Sequence, residues 1–209
     1  MKTFVMAAAA AALMIVGATS ANAMIEINKS AVEVGKPAPA FTGTDTNGNT
    51  INLSDYAGKT VVLEWTNPKC PFVEKHYGSG NMQSLQKKYT AQDVVWLSIN
   101  SSAEGKEGNM NAADANQVIS EAGAAPTAYI LDPTGEIGRL YDARTTPDMF
   151  VINGEGTLVY AGAIDSNDSF KPETIEGATN YVAAALDALA EGKPIETAQT
   201  KPYGCGVKY

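Results

Sequence analysis

Short apolar runs alternate with polar, glycine-containing stretches along most of the chain. Residues 61–65 and 94–99 are short, nearly continuous apolar runs, a pattern typical of strands buried on both faces of a sheet. Between them, residues 71–89 follow a helical pattern that residues 78–80, Gly-Ser-Gly, interrupt. The order strand, helix, strand predicts a βαβ unit with two parallel strands.

The flanking segments extend this α/β pattern. A hairpin is predicted over residues 42–53, and a second one, over residues 149–160, turns at Asn153-Gly154. The final helix is predicted to begin at Pro172 and to end before Gly192. The other predicted elements are helices over residues 113–122 and 137–141 and a strand over residues 127–131. The whole pattern predicts one sheet with helices on both faces.

The first 23 residues have the pattern of an export signal. A lysine at position 2 precedes an apolar run over residues 4–16, and Ala21-Asn22-Ala23 is a small-x-small cleavage site. The run is shorter than the roughly 20 residues that span a bilayer, which disfavours the alternative of a retained anchor. We expect cleavage after Ala23 and a periplasmic or otherwise exported mature protein. The expected organisation is a signal over residues 1–23, one domain over 24–192 and a tail over 193–209.

The composition excludes several classes of function. The 209 residues contain 15 Lys and Arg against 23 Asp and Glu, a net charge of −8, with no basic run. A nucleic-acid binder or a polybasic membrane anchor is therefore not expected. The two cysteines are too few for a disulfide scaffold, and with the single histidine they cannot complete a four-ligand zinc site. We predict no cofactor.

Cys70 is the candidate reactive residue. It follows a buried strand and precedes Pro71, where a helix is predicted to begin. Unpaired N–H groups and the dipole at a helix N-terminus favour a thiolate and lower the pKa of a cysteine. Lys69 and Lys75 would add to this effect if they faced the sulfur, and Glu74 would oppose it. The alternative is a small apolar residue that only packs in the core.

Several segments resemble the redoxin group of the thioredoxin superfamily. Residues 34–41, Val-Gly-Lys-Pro-Ala-Pro-Ala-Phe, and residues 53–63 are similar to the opening of a redoxin domain. Residues 70–73, Cys-Pro-Phe-Val, resemble a C-x-x-C active-site motif whose second cysteine has become valine. Residues 145–147, Thr-Thr-Pro, resemble the cis-proline loop. The tail, with Cys205 between two glycines, resembles that of a peroxiredoxin-like subgroup of the AhpC/TSA type.

This resemblance implies an α/β thioredoxin-like fold, with a central mixed sheet, helices on both faces and an N-terminal β-hairpin extension. It implies an exported thiol-based oxidoreductase in which Cys70 is the nucleophile. A substrate groove is expected around Thr146, Pro147, Pro71 and Lys69. The implied partners are a protein or small-molecule thiol or disulfide and an unidentified reductant, with no nucleic acid and, after signal cleavage, no membrane.

The sequence also departs from the peroxiredoxin pattern. Peroxiredoxins carry Thr or Ser three residues before the reactive cysteine and Pro seven residues before it, where this chain has Asn67 and Leu63. The arginine beside their thiolate is replaced by Pro147. The groups that would donate hydrogen bonds to a hydroperoxide are thus missing from their usual positions. Peroxidase activity is the third function considered, after thiol–disulfide exchange and a redox-inactive domain.

Because Val73 has no sulfur, Cys205 is the remaining candidate partner of Cys70. Its flanking glycines and the length of the tail would allow the two sulfurs to meet. A Cys70–Cys205 disulfide would be either part of a catalytic cycle or a permanent staple in a redox-inactive binding or structural domain.

The other candidate residues are given structural roles. His76 is expected to be solvated or to cap a helix, since it lies about 240° around the helix from Cys70. A metal site of Cys70, His76 and Met149 is the disfavoured alternative. Residues 165–168 are predicted to form a turn. Aromatic residues are expected to pack around the site: Trp65, Phe72 and Phe150.

Overall fold

The computed structural model describes residues 32–209, so the predicted export signal and its cleavage site lie outside the described residues. Within this range, no helix is long and apolar enough to cross a membrane. The strands are β1 Thr42–Asp45, β2 Thr50–Asn52, β3 Val61–Trp65, β4 Val95–Asn100, β5 Ala128–Leu131, β6 Thr145–Thr146, β7 Asp148–Ile152, β8 Leu158–Gly162 and β9 Cys205–Gly206. The helices are α1 Pro71–Gly78, α2 Asn81–Thr90, α3 Ala112–Glu121, α4 Glu136–Leu140 and α5 Tyr181–Ala190.

Seven of the described strands form one mixed sheet in the order β2-β1-β5-β4-β3-β7-β8. The central strands β3, β4 and β5 are parallel, and β7 and β8 add an antiparallel hairpin beside β3. The N-terminal hairpin extends the other edge, where β1 pairs with β5. The predicted βαβ unit and both predicted hairpins are confirmed, as is the predicted α/β class with a mixed central sheet.

The alternation of side chains along β3 divides the core into two layers. Leu63 and Trp65 face a cluster that includes Tyr141 and Phe150, where the ring centroids of Trp65 and Phe150 are 5.2 Å apart. Val62 faces the opposite layer, which α2 and α5 cover. Because both faces are covered, β3 is buried along its whole length and holds its C-terminal end, where the site lies, in a fixed position.

The break between α1 and α2 is confirmed at the predicted glycines. Ser79 ends α1, and Gly80 precedes α2 with a φ of 77°, a left-handed conformation that glycine adopts without steric cost.

The predicted start of the last helix is wrong. Pro172 opens a short 3-10 turn, Pro172–Thr174, and α5 begins only at Tyr181. Gly177 separates the two with a φ of 82°, and the side chain of Asn180 caps α5 by accepting a hydrogen bond from the Ala183 N–H. The helix therefore starts at an asparagine cap, a signal that competes with the proline in the sequence.

Part of the tail is regular. Residues 205–206 pair as β9 with β6, so that Cys205 lies opposite Thr146. Earlier in the tail, Thr200 donates its N–H to Ala161 O at 3.0 Å and its Oγ1 accepts the Ala163 N–H at 2.8 Å. The tail is thus bound along the β8 edge before it reaches the cis-proline loop.

Candidate active site

Cys70 lies at the junction between β3 and α1, as predicted. It is the N-cap residue of α1, with extended backbone angles, and its carbonyl accepts the Glu74 N–H at 2.9 Å. Its own N–H donates to Asn67 O at 2.9 Å. The residue is fully buried, with 0% of its surface exposed. The strand end and the helix start therefore fix the sulfur at the N-terminus of α1.

The pKa of Cys70 is lowered from its ordinary value. Burial by itself would raise this pKa, but hydrogen bonds to the sulfur outweigh the effect of burial. The donors are the Cys205 thiol, the Thr146 side chain and the backbone N–H groups of Val73 and Cys205. As a thiol, Cys70 donates to Thr146 O at 3.0 Å. The site thus stabilises the thiolate that a nucleophilic cysteine needs.

The cis-proline loop provides one side of this environment. The Thr146–Pro147 peptide bond is cis, which confirms the prediction from the sequence. Both residues are buried. Among the described residues, the Thr146 hydroxyl makes no hydrogen bond of ordinary geometry to a nitrogen or oxygen. It is therefore available to donate to Cys70 when the thiol ionises.

Cys205 lies directly beside Cys70, and both cysteines are free thiols. Burial raises the pKa of Cys205 to about 12, and so do its hydrogen bond to Cys70 and the negative charge of the Cys70 thiolate. The proton is therefore held on Cys205 while Cys70 carries the charge. The two residues predicted to react together are adjacent; their disulfide stays a prediction.

Gly204 allows Cys205 to approach the loop. Its φ is +139°, and a Cβ at this position would overlap the carbonyl oxygen of Thr146. A residue with a side chain could not follow this path without moving the strand.

The residues predicted to form a substrate groove do not share one open surface: two are buried and two are exposed. The backbone edge of Thr146, beside Pro147, is covered by β9, which pairs with Thr145 and Thr146. Pro71 and Lys69 are exposed. Lys69 lines a cavity of about 520 Å³ that is also bounded by Val73, Tyr77, Met110 and Ile119. The open surface near Cys70 is therefore this cavity between α1 and α3.

Lys75 and His76 are both buried, and the expectation for His76 is wrong. Lys75 does not face the sulfur; its ammonium is buried and donates to Asn167 O at 2.9 Å and to Asp165 Oδ2 at 3.3 Å. His76 is buried rather than solvated, and its Nε2 lies 3.3 Å from the Tyr203 hydroxyl. Asp165 was predicted only as part of a turn, and its buried ion pair with Lys75 was not predicted. Within residues 32–209, no group of three or more His, Cys, Asp or Glu side chains could hold a metal ion.

The sequence contained one signal that His76 is buried. Val73 and His76 are three residues apart and share a face of α1, and both are buried. The contribution of Tyr203 had no comparable signal, because it depends on the path of the tail.

Glu64 is a second buried polar residue that the sequence reasoning missed. It is fully buried in β3, and its carboxylate accepts hydrogen bonds from Tyr77 and Trp96 at 2.8 Å and from Ser98 at 2.9 Å. Burial raises the pKa of Glu64, and these donors partly offset the increase. Tyr77 belongs both to this network and to the lining of the cavity.

Comparison with known proteins agrees with this geometry. The sequence profile of the AhpC/TSA family matches residues 34–161. The chain is 30% identical over 131 residues to the thiol-disulfide oxidoreductase ResA of Bacillus subtilis (strain 168), a match that covers 63% of this chain and 68% of the relative.

Two solved structures are similar over most of their length. An uncharacterized conserved protein from Geobacillus kaustophilus has a TM-score of 0.72 and 31% identity, covering 85% of this chain and 92% of the other. A hypothetical protein from Sinorhizobium meliloti 1021 has a TM-score of 0.74 and 24% identity, covering 86% and 96%, and supports the fold alone. The chain therefore belongs to the AhpC/TSA family of redoxins and has a thioredoxin-like fold.

Proposed function

We propose that the protein is an exported thiol–disulfide oxidoreductase in which Cys70 is the nucleophile and Cys205 the resolving cysteine. The observation that carries the proposal is the environment of the Cys70 sulfur. It lies at a helix N-terminus with a lowered pKa, and a second thiol is one of its hydrogen-bond donors. Membership of a redoxin family and similarity to a thiol-disulfide oxidoreductase support the same class of reaction.

In the first step, the Cys70 thiolate attacks one sulfur of a substrate disulfide. A bond forms between Cys70 and that sulfur, the substrate S–S bond breaks, and the other substrate sulfur leaves as a thiolate that takes up a proton. The donors around Cys70 have opposing effects, since a lower pKa increases the thiolate fraction but decreases its intrinsic nucleophilicity.

In the second step, Cys205 resolves the mixed disulfide. Once Cys70 has lost its charge, two of the interactions that raise the pKa of Cys205, the Cys70 charge and the hydrogen bond to it, are removed. Cys205 can then give its proton to solvent, attack the Cys70 sulfur and displace the substrate as a thiolate. The substrate leaves reduced and the protein holds a Cys70–Cys205 disulfide, which a dithiol reductant returns to two thiols.

The cavity between α1 and α3 is the proposed contact region for a protein substrate. Its lining is mainly apolar, and Lys69, Glu74, Asp114 and Glu121 line it as well. The similar relatives are named thiol-disulfide oxidoreductases, which favours a protein disulfide as substrate. Export to an oxidising compartment, as the sequence suggests, would supply such disulfides.

Hydroperoxide reduction is a less favoured activity, although the tail resembles that of a peroxiredoxin-like subgroup. The amide of Asn67, which stands where peroxiredoxins have Thr or Ser, is used elsewhere: it donates to Glu107 O and accepts the Lys69 N–H. Arg144 is exposed and pairs with Asp142. Besides the Cys205 thiol, these contacts leave Thr146 as a side chain that could donate to a peroxide oxygen near Cys70.

A structural disulfide is the second candidate, and one observation favours it. Cys70 is fully covered, and the tail that covers it is hydrogen-bonded along the β8 edge. A Cys70–Cys205 disulfide that never opens would tie the tail down and stabilise the domain.

Catalysed reduction of insulin disulfides by dithiothreitol distinguishes these functions. The proposal predicts turnover by the wild type, loss of turnover to the uncatalysed rate in Cys70→Ser, and reduced turnover in Cys205→Ser. If all three proteins match the uncatalysed rate, and Cys205→Ser changes only the melting temperature, the structural candidate is correct.

A further inference from the structure

Four polar side chains from distant parts of the chain meet in a buried cluster, here named the Tyr203 cluster. Lys75 and His76 come from α1, Asp165 follows β8, and Tyr203 lies in the tail. The side chains of Lys75 and His76 are 0% exposed and that of Asp165 is 2% exposed. A buried ion pair is stable only when additional hydrogen bonds satisfy its remaining donors and acceptors.

The Tyr203 hydroxyl completes the hydrogen bonds of this ion pair. Lys75 Nζ donates to Asp165 Oδ2 and to Asn167 O, and it lies 3.5 Å from the phenol oxygen. Asp165 Oδ1 accepts the Asn167 N–H at 3.0 Å and also the Tyr203 hydroxyl. Removing the hydroxyl would therefore leave a buried carboxylate oxygen with one donor fewer.

His76 fixes the direction of these bonds. Asn81 Nδ2 donates to His76 Nδ1 at 2.8 Å, which assigns the ring proton to Nε2, 3.3 Å from the phenol oxygen. Burial lowers the pKa of His76 to about 4, so the ring is neutral at neutral pH. The imidazole donates to the phenol while the phenol donates to Asp165, and the hydroxyl is used in both directions.

Tyr203 holds the tail on the N-terminal side of Cys205. The Tyr203 ring packs against Phe72, with centroids 5.8 Å apart, and Phe72 is two residues from Cys70. Only Gly204 separates Tyr203 from Cys205, and its path is constrained by Thr146 O. The strand pairing of Cys205 is two residues long, too short to hold the tail without other contacts.

We propose that Tyr203 is a positioning residue for the resolving step: its hydroxyl, bound by Asp165 and His76, keeps Cys205 beside Cys70. The proposal rests on the thiol–disulfide chemistry proposed above and names the group that makes its second step fast. A tail held in place gives Cys205 a high effective concentration at the mixed disulfide, whereas a detached tail would reach it less often.

Glutathione disulfide is the probe for this step. The Cys70 thiolate bonds to one glutathione sulfur and releases the other as a thiolate, which is protonated. Cys205 then loses its proton to solvent, bonds to the Cys70 sulfur and displaces the second glutathione, which is also protonated. Acid quenching followed by intact-mass measurement separates the glutathione adduct from the internal disulfide, so both rates are measured on the full chain.

Tyr203→Phe removes only the hydroxyl and keeps the ring against Phe72. Tyr209→Phe is the matched control, since it removes another tail hydroxyl, one that donates to Ala143 O at 2.8 Å. We expect Tyr203→Phe to slow resolution about tenfold, the effect of losing one hydrogen bond to a charged group. Adduct formation should be at least as fast as in the wild type, because Cys70 is less covered. Tyr209→Phe should resolve at close to the wild-type rate, because its hydroxyl does not belong to the Tyr203 cluster.

The outcomes separate the two proposals. If the wild type forms neither adduct nor internal disulfide, the proposed function is wrong. If the wild type reacts and Tyr203→Phe resolves at the wild-type rate, or if Tyr209→Phe is slowed equally, Tyr203 is not the positioning residue. A lower melting temperature with unchanged resolution would assign Tyr203 a purely structural role.

His76→Leu is the second variant, used if Tyr203→Phe does not fold. It removes the imidazole donor, which the amide of a glutamine could replace, and leaves the phenol, Lys75 and Asp165 in place. We expect resolution to slow in the same direction by about threefold, the effect of losing one neutral hydrogen bond. Resolution at the wild-type rate in a folded His76→Leu protein would contradict the proposal.

Discussion

The sulfur of Cys70 lies among hydrogen-bond donors from three parts of the chain, and these donors set its chemistry. Val73 belongs to the same helix turn, so its backbone N–H follows from the position of Cys70 at the start of α1. The Thr146 and Cys205 donors are brought in by the cis-proline loop and the tail. The helix-terminus effect could be predicted from the sequence. Whether Lys75 faces the sulfur could not be predicted, and this lysine is paired with Asp165 instead.

Substitution of Cys205 tests the contribution of its thiol. Cys205→Ala removes the thiol that donates a hydrogen bond to Cys70, so the pKa of Cys70 should rise. Cys205→Ser keeps a hydroxyl donor at the same place and should raise it less. Ultraviolet absorbance of the thiolate, titrated against pH with Cys70→Ser as the blank, measures this. An equal pKa of Cys70 in the wild type and in both variants would show that the side chain at position 205 does not stabilise the thiolate.

Asp148, which follows the cis-proline, makes stability depend on pH. Burial raises its pKa to about 7, and the N–H groups of Arg144, Thr145 and Met149 partly offset this. Because the folded pKa is above the unfolded one, the stabilisation is complete below the unfolded pKa and is lost as the pH rises through about 7.

The Asp148→Asn variant isolates this effect. Between about pH 5 and about pH 8, the wild type should lose about 3 kcal/mol of unfolding free energy relative to Asp148→Asn. Urea unfolding of both proteins at the two pH values measures the difference. Other titrating groups, including His76, are present in both proteins, so their contributions cancel in the comparison. A difference that stays constant with pH would mean that the folded pKa of Asp148 is not raised.

At the level of elements, the sequence predicted those whose signals are local. Residues 61–65 and 94–99 are apolar runs of strand length, and they form β3 and, one residue later, β4. The start of α5 was placed too early because Pro172 and Asn180 are both N-terminal signals, and the residues between them do not show which one a helix uses. Strand β9 could not be predicted, since its pairing partner lies about 60 residues away.

Two glycines flank Cys205, and they provide a matched pair of substitutions in the tail. Gly204→Ala places a Cβ onto Thr146 O at a φ of +139°, whereas a Cβ at Gly206 has Arg144 O as its nearest atom, 4.0 Å away. Gly204→Ala should displace β9 and uncover Cys70. We expect its alkylation by iodoacetamide in the reduced protein to be at least about tenfold faster, consistent with the loss of more than 1 kcal/mol of tail pairing.

Gly206→Ala should leave the alkylation rate of Cys70 close to that of the wild type. Equal rates for Gly204→Ala, Gly206→Ala and the wild type would show that β9 does not control access to Cys70.

At the level of the whole molecule, the tail converts a single active-site thiol into a pair. The chain has no sulfur at Val73, and Cys205 reaches the site only because the tail follows β8, enters the Tyr203 cluster and pairs with β6. The α/β class and the position of Cys70 at a helix N-terminus follow from local sequence signals. The buried cluster of Lys75, Asp165 and Tyr203 joins segments far apart in the sequence, and no local pattern predicts such contacts.

The central claim is that Cys70 reacts first and Cys205 resolves it, and intact mass after mixing the reduced protein with glutathione disulfide tests this directly. The wild type should end as an internal disulfide without retained glutathione. Cys205→Ser should stop at one glutathione adduct. Cys70→Ser should remain unmodified on the same time scale, because burial, the largest cause of the raised pKa of Cys205, does not depend on the Cys70 thiolate. A stable adduct on the wild type, or faster modification of Cys205 than of Cys70, would contradict the claim.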